Sequence, residues 1–249
     1  MLTRRGLGLL GAAGLLAGGG ALVALSGSSA GSPAPPGGDA TASAAAPPAV
    51  PPPSTAPPAP TTAAPTPSPS PVEPEVVQAG TGRLRVVPGG SERSGRGPLR
   101  TYRVQVEGGL GIDAAGFADQ VDATLSDDRS WGADGRMSFR RVADGGADFT
   151  VVLASPDTTD RLCLPLDTAG IYSCGTGDTA VINSMRWLEG ADAYEDRLPA
   201  YRQYVVNHEV GHVLGHGHVP CPGSGEPAPV MLQQTKGVGS CTAQPWPYA

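Results

Sequence analysis

The chain has four histidines, His208, His212, His216 and His218, and all of them fall within eleven residues. His208 and His212 stand four apart, so on a helix their imidazoles share one face a single turn from each other and can bind one metal ion. Glu209 follows the first histidine, where its carboxylate can reach a water at that metal without being a ligand itself. A third ligand is needed, and His216 and His218 compete for it. His216 would continue the same face if the helix ran on, but three side chains in line at one-turn spacing cannot converge on one tetrahedral ion. Gly215 can take positive φ, end the helix and turn the chain back, which lets His218 swing in towards the first pair. The expected metal set is therefore His208, His212 and His218, with His216 pointing elsewhere and Gly215 as structural support. Zn2+ is the expected ion, because three histidines with an open fourth position form the arrangement that lowers the pKa of a bound water towards about 7.

These residues need a helix, and Pro199 marks where it starts: proline suits a first turn, and the pattern then runs through Tyr204 to Leu214. Upstream, Gly82 to Val87 and Leu99 to Glu107 alternate as strands, the second placing Tyr102, Val104 and Val106 on one face. Asp113 offers an N-cap for a helix over Ala114 to Leu125, with Phe117, Val121 and Leu125 on its buried side. Met137 to Val142 and Asp148 to Ala154 read as two further strands joined by a turn at Ala143-Asp144-Gly145-Gly146, and Ala180 to Met185 as another. After Gly215 the composition turns to Gly, Pro, Cys and Ser, so an irregular segment is expected. An early helix, several strands and a late helix without regular alternation define an α+β domain.

The segment from His208 to His218 resembles the eleven-residue metzincin zinc signature, a longer pattern than the five-residue zincin core. More narrowly, Asn207 to Pro222, followed by Pro229 to Lys236, is similar to a secreted bacterial family known as DUF3152, a domain of unknown function, and the similarity extends from about Leu110 to the C-terminus. The metzincin resemblance implies a metzincin-like domain with a twisted mixed sheet and an active-site helix. It also implies that Met231, thirteen residues past His218, sits in a tight turn beneath the ligands as a supporting residue. Some metzincins carry a tyrosine two residues after that methionine; here the position is Gln233, which leaves that role unassigned.

The implied activity is that of a secreted zinc metallopeptidase, with Glu209 as the catalytic general base that takes a proton from water and passes it to the leaving amine. The expected partner is a peptide or protein substrate held in extended form against a sheet edge. A reading from another class, a non-catalytic cell-envelope binding domain whose zinc only stabilises the fold, stands against it. So does a third, hydrolysis of cell-wall crosslink peptides, which keeps the chemistry and changes the substrate.

The remaining composition speaks to compartment. Of the 27 prolines, 16 lie between Pro33 and Pro74, while the first aromatic residue is Tyr102. Residues 31–79, rich in Pro, Ala, Ser and Thr, cannot repay the entropy of ordering and are predicted to be a disordered linker, semi-stiff where runs such as Pro51-Pro52-Pro53 favour polyproline II. Residues 1–30 read as an export signal, with Arg4 and Arg5 ahead of an apolar run from Leu7 to Leu25 and Ser28-Ser29-Ala30 as a cleavage candidate. Thr3-Arg4-Arg5-Gly6-Leu7 is similar to a twin-arginine signal. An uncleaved membrane anchor is the alternative, since the apolar run reaches about the ~20 residues that span a bilayer. A secreted or cell-envelope location is expected either way, with membrane contact only through this N-terminal segment.

That leaves one folded domain over 80–249, which holds all four cysteines. Behind an export signal they imply two disulfides, and of three connectivities the sequential one, Cys163 with Cys174 and Cys221 with Cys241, closes the shortest loops. With Arg4 and Arg5 set aside, the domain carries fifteen basic residues against twenty acidic ones. That balance argues against a nucleic-acid partner.

Overall fold

A computed structural model describes residues 75–248. The expected export segment and most of the expected linker lie outside the described residues. Of the linker's last residues, Val77 packs against the core and the Gln78 carbonyl accepts a hydrogen bond from the Asp157 amide at 3.1 Å, so the domain's contacts begin before residue 80.

Seven strands form one mixed sheet: β1 (Leu84–Val86), β2 (Ser94–Gly95), β3 (Leu99–Glu107), β4 (Ser138–Arg141), β5 (Phe149–Ala154), β6 (Cys174–Thr176) and β7 (Thr179–Asn183). Four helices accompany it: α1 (Ala114–Ser126), α2 (Pro156–Leu162), α3 (Ser184–Glu189) and α4 (Leu198–Val213). The strand order is β2-β4-β3-β5-β7-β6, and β1 pairs with the far end of β3. β4, β3, β5 and β7 run parallel, while β1, β2 and β6 are antiparallel to their neighbours. The α+β class expected from the sequence is this arrangement.

β3 organises the sheet because nine alternating residues give it room for three partners. β4 pairs with Leu99 to Tyr102, β1 with Gln105 to Glu107 on the same side, and β5 with Tyr102 to Val106 on the other. The turn expected at 143–146 does not join a hairpin. β4 and β5 lie on opposite sides of β3, and residues 142–148 carry the chain across it, tied down by hydrogen bonds from the Val142 amide to the Tyr102 carbonyl and from the Asp148 amide to the Thr101 carbonyl, 2.8 Å each. Two short runs bounded by turn residues look like neighbours in sequence, yet a longer apolar strand made earlier competes for both.

The strand expected over 180–185 ends at Asn183, and α3 begins at Ser184. Asn183 caps that helix: its side chain accepts from the Met185 amide at 3.0 Å, which the apolar run around it concealed. α1 follows its sequence pattern. Asp113 accepts from the Ala115 amide at 3.0 Å, and Phe117, Ala118, Val121 and Leu125 are buried. Beside them Asp122 accepts from Tyr102 Oη at 2.6 Å and from Arg141 Nε at 2.8 Å, so a nearly buried ion pair fastens α1 to the sheet.

α4 is the central helix. It packs on α1, β6 and β7. Every residue from Tyr204 to Gly211 is buried, so its middle has no solvent face. Tyr194, Tyr201 and Tyr204 pack as a ring cluster with centroids 5.5 to 5.8 Å apart. This buries large aromatic area around the first half of the helix and fixes its second half, which carries the histidines. Two disulfides, Cys163–Cys174 and Cys221–Cys241, hold the irregular parts, in the expected sequential pairing. They are compatible with an extracytoplasmic location. Among the described residues no helix is long and apolar enough to cross a membrane.

Candidate metal centre

α4 ends two residues before the glycine singled out in the sequence, with Leu214 as its C-cap. Gly215 has φ +93°, its amide donates to the His212 carbonyl and the His216 amide to the Gly211 carbonyl, both at 2.9 Å. This pair of bonds is the Schellman closure, which satisfies two terminal carbonyls and reverses the chain. The reversal brings His218 back over the helix end.

His208, His212 and His218 converge, with one ring nitrogen of each lying within 4.8 Å of the others. The Nε2 atoms of His212 and His218 are 3.0 Å apart. Two nitrogens on one tetrahedral zinc, at about 2.0–2.1 Å each, lie roughly 3.3 Å from each other, so the cluster is close enough to bind one ion. The donor chemistry fits as well. His208 Nδ1 lies 2.8 Å from the Val230 carbonyl and His212 Nδ1 2.9 Å from the His216 carbonyl. A carbonyl accepts only, so each Nδ1 carries the proton and each Nε2 presents a lone pair. Burial, followed by the neighbouring imidazoles, pushes His208 down to about 3. Burial also lowers His212 and His218. All three rings are therefore neutral near pH 7, the form that ligates metal.

His216 takes no part. Its ring stacks on Trp131, and only its backbone carbonyl serves the cluster, through His212. Trp131 is fixed in turn by its indole N–H, which donates to the Asn207 carbonyl at 2.9 Å. The Asn207 side chain accepts from Ser130 Oγ at 2.9 Å and donates to the Pro245 carbonyl at 3.1 Å, tying the residue before His208 to two distant loops.

Met231 lies beneath the helix, and Gly211 is what lets it approach. A Cβ on Gly211 would lie 2.5 Å from Met231 Sδ and 2.7 Å from Trp131 Cζ2, so any side chain just before His212 would have to displace one of them. A second glycine presses the sheet edge onto the same helix. β6 is the edge strand beside β7, and a Cβ on Gly175 would lie 2.3 Å from the Glu209 carbonyl oxygen and 2.5 Å from His212 Cβ. Neither close approach entered the sequence reading. Gly211 left a signal, because an interior helical glycine costs about 1 kcal/mol against alanine and calls for a packing reason.

The cluster opens into a cleft of about 390 Å³. It is lined by His208, Glu209, His212 and His218 from the cluster, by Tyr172 to Gly175 leading into the edge strand, and by Gln233, Thr235 and Lys236. Glu209 is 5% exposed and its carboxyl is pushed up to about 8 by burial. Gln233, where some metzincins carry tyrosine, lines the cleft, and so does Tyr204, whose hydroxyl donates to the Leu232 carbonyl at 3.0 Å. Cys163–Cys174 borders the cleft, and Cys221–Cys241 closes the segment that bears Val230 and Met231.

A mixed α+β sheet domain that gathers three histidines at the end of its central helix is the class defined by this fold and site. The chain belongs to the family described as "Protein of unknown function (DUF3152)", which matches residues 70–248. No curated protein and no solved structure matches the chain.

Proposed function

We propose that this protein is an exported, zinc-dependent metallopeptidase of metzincin type, with His208, His212 and His218 as ligands and Glu209 as general base. The observation that carries the reading is that Glu209 lines the same cleft as the three convergent histidines. A purely structural zinc needs no acid beside it and no cleft in front of it. Zinc, when bound, supplies a Lewis acid and acidifies a water molecule. The protein's own residues supply the rest. The carbonyls of Val230 and His216 hold the two helical imidazoles in one tautomer. Burial raises the Glu209 carboxyl, a zinc cation beside it would favour the ionised form, and as a carboxylate Glu209 moves a proton from the attacking water to the leaving amine. The substrate is an extended peptide, for which the open edge of β6 offers unpaired backbone groups along the cleft wall.

The test is a peptide library presented to zinc-loaded protein, with Glu209→Gln as control. Wild type is expected to cleave, and the variant to keep its zinc and lose at least ~100-fold in turnover. Zinc bound with no peptide cleaved transfers the site to the binding-domain reading. Cleavage confined to cell-wall crosslink peptides narrows the substrate.

A further inference from the structure

Lys236 is the only lysine in the chain, and it lines the cleft that holds the histidine cluster. It projects from a short 3₁₀ turn, Gln234–Lys236, whose first residue is fully buried. Gln234 anchors the turn on every side. Its side-chain oxygen accepts from Tyr194 Oη at 3.0 Å and from the Gln244 amide at 3.1 Å. Its side-chain nitrogen donates to the carbonyls of Pro229 and Gln244, at 3.2 and 2.8 Å. The lysine stem thus leaves from a fixed base, and its ammonium lies over the Tyr172 ring, 4.8 Å from the centroid.

An ammonium placed this way is preorganised without being neutralised. Among the described residues Lys236 forms no ion pair. The cleft lining contains two carboxylates, and neither serves it. Glu209 is buried at the helix, and Asp167 turns an oxygen to the Ala169 amide of its own loop at 3.0 Å. An exposed cation held over an aromatic face and lining a cleft, with no carboxylate paired to it, attracts an anion from solution.

We infer that Lys236, seated on Tyr172, is a carboxylate-binding subsite that selects peptides bearing a free terminal carboxylate or an acidic side chain. This rests on the peptidase reading for its substrate class. The cation, the fixed turn and the cleft they face carry the choice of charge. Both sources of carboxylate share the same chemistry.

The test measures binding separately from cleavage. Three labelled hexapeptides of otherwise equal sequence are titrated by fluorescence anisotropy into zinc-loaded Glu209→Gln protein: a C-terminal acid, its carboxamide, and a carboxamide with one internal Glu. At least one acid-bearing peptide is expected to bind about tenfold tighter than the neutral carboxamide, the size of one charge-assisted hydrogen bond. Lys236→Met should erase that preference, and Lys236→Glu should reverse it. Which acid-bearing peptide gains identifies the carboxylate source. Equal binding of all three peptides overturns the inference, and so does a preference that survives Lys236→Met. If binding follows charge but wild type cleaves none of the peptides, the subsite stands and the peptidase reading falls.

Discussion

Trp131 and His216 stack with centroids 4.3 Å apart and planes 17° from parallel, and this contact decides which of two neighbouring histidines is left out of the cluster. The Gly215 turn alone frees both rings. Trp131, pinned to the Asn207 carbonyl, takes His216 to the outer side of the turn, and His218 is the ring that reaches His208 and His212.

His218→Ala is expected to abolish stoichiometric zinc binding, and His216→Ala to retain it, because an alanine still offers the backbone carbonyl that holds His212 Nδ1. Metal analysis on gel-filtered, folded protein checks this. Equal loss in the two variants would mean that His216 ligates.

Gly211→Ala pits two effects against each other. Alanine gains about 1 kcal/mol of helix propensity, but its Cβ needs space held by Met231 Sδ and the Trp131 ring. Overpacking of a dense core costs about 1–3 kcal/mol, and although the Met231 side chain can shift, Trp131 is pinned by its indole N–H, so the cost should exceed the gain. The variant should melt below wild type and bind zinc more weakly. A raised melting temperature would show that the floor under the helix yields.

Glu107 sets an acid limit on stability. The side chain is 2% exposed, and burial alone would raise its carboxyl. The hydrogen bonds outweigh burial and hold it below the usual range: Ser155 and Gly82 amides donate at 2.7 and 2.6 Å, and Thr158 Oγ1 at 2.8 Å. A depressed folded-state pKa means stability that is fully present above the unfolded value, about 4.3, and is lost as pH falls through the folded one. Glu107→Gln should cost roughly 2–4 kcal/mol at pH 7, since its amide turns donors against donors. The gap to wild type should narrow in denaturant titrations carried below about pH 4. A gap independent of pH would remove the charge from the explanation.

The residues of the cluster were legible in the chain because the local chemistry is local in sequence. An i, i+4 pair is set by helix geometry, and a glycine after the last turn is set by the steric cost of positive φ, so neither needs the rest of the protein. The same holds for Asp113 capping α1 and for the sequential disulfides, whose short loops close at least entropy. What the sequence could not decide was everything that depends on residues far apart meeting. The edge strand against α4 needs Gly175, and the helix floor needs Gly211, Met231 and Trp131 together; each is an ordinary residue until its partner arrives. The crossing of β3 by residues 142–148 is a contest between strands for one neighbour, which only the assembled sheet resolves. Lys236 shows the limit most plainly. One lysine in an irregular tail carries no periodicity and no motif chemistry of its own, and it acquires a role only when Gln234 is buried at its base and Tyr172, far away in sequence, is brought against its ammonium.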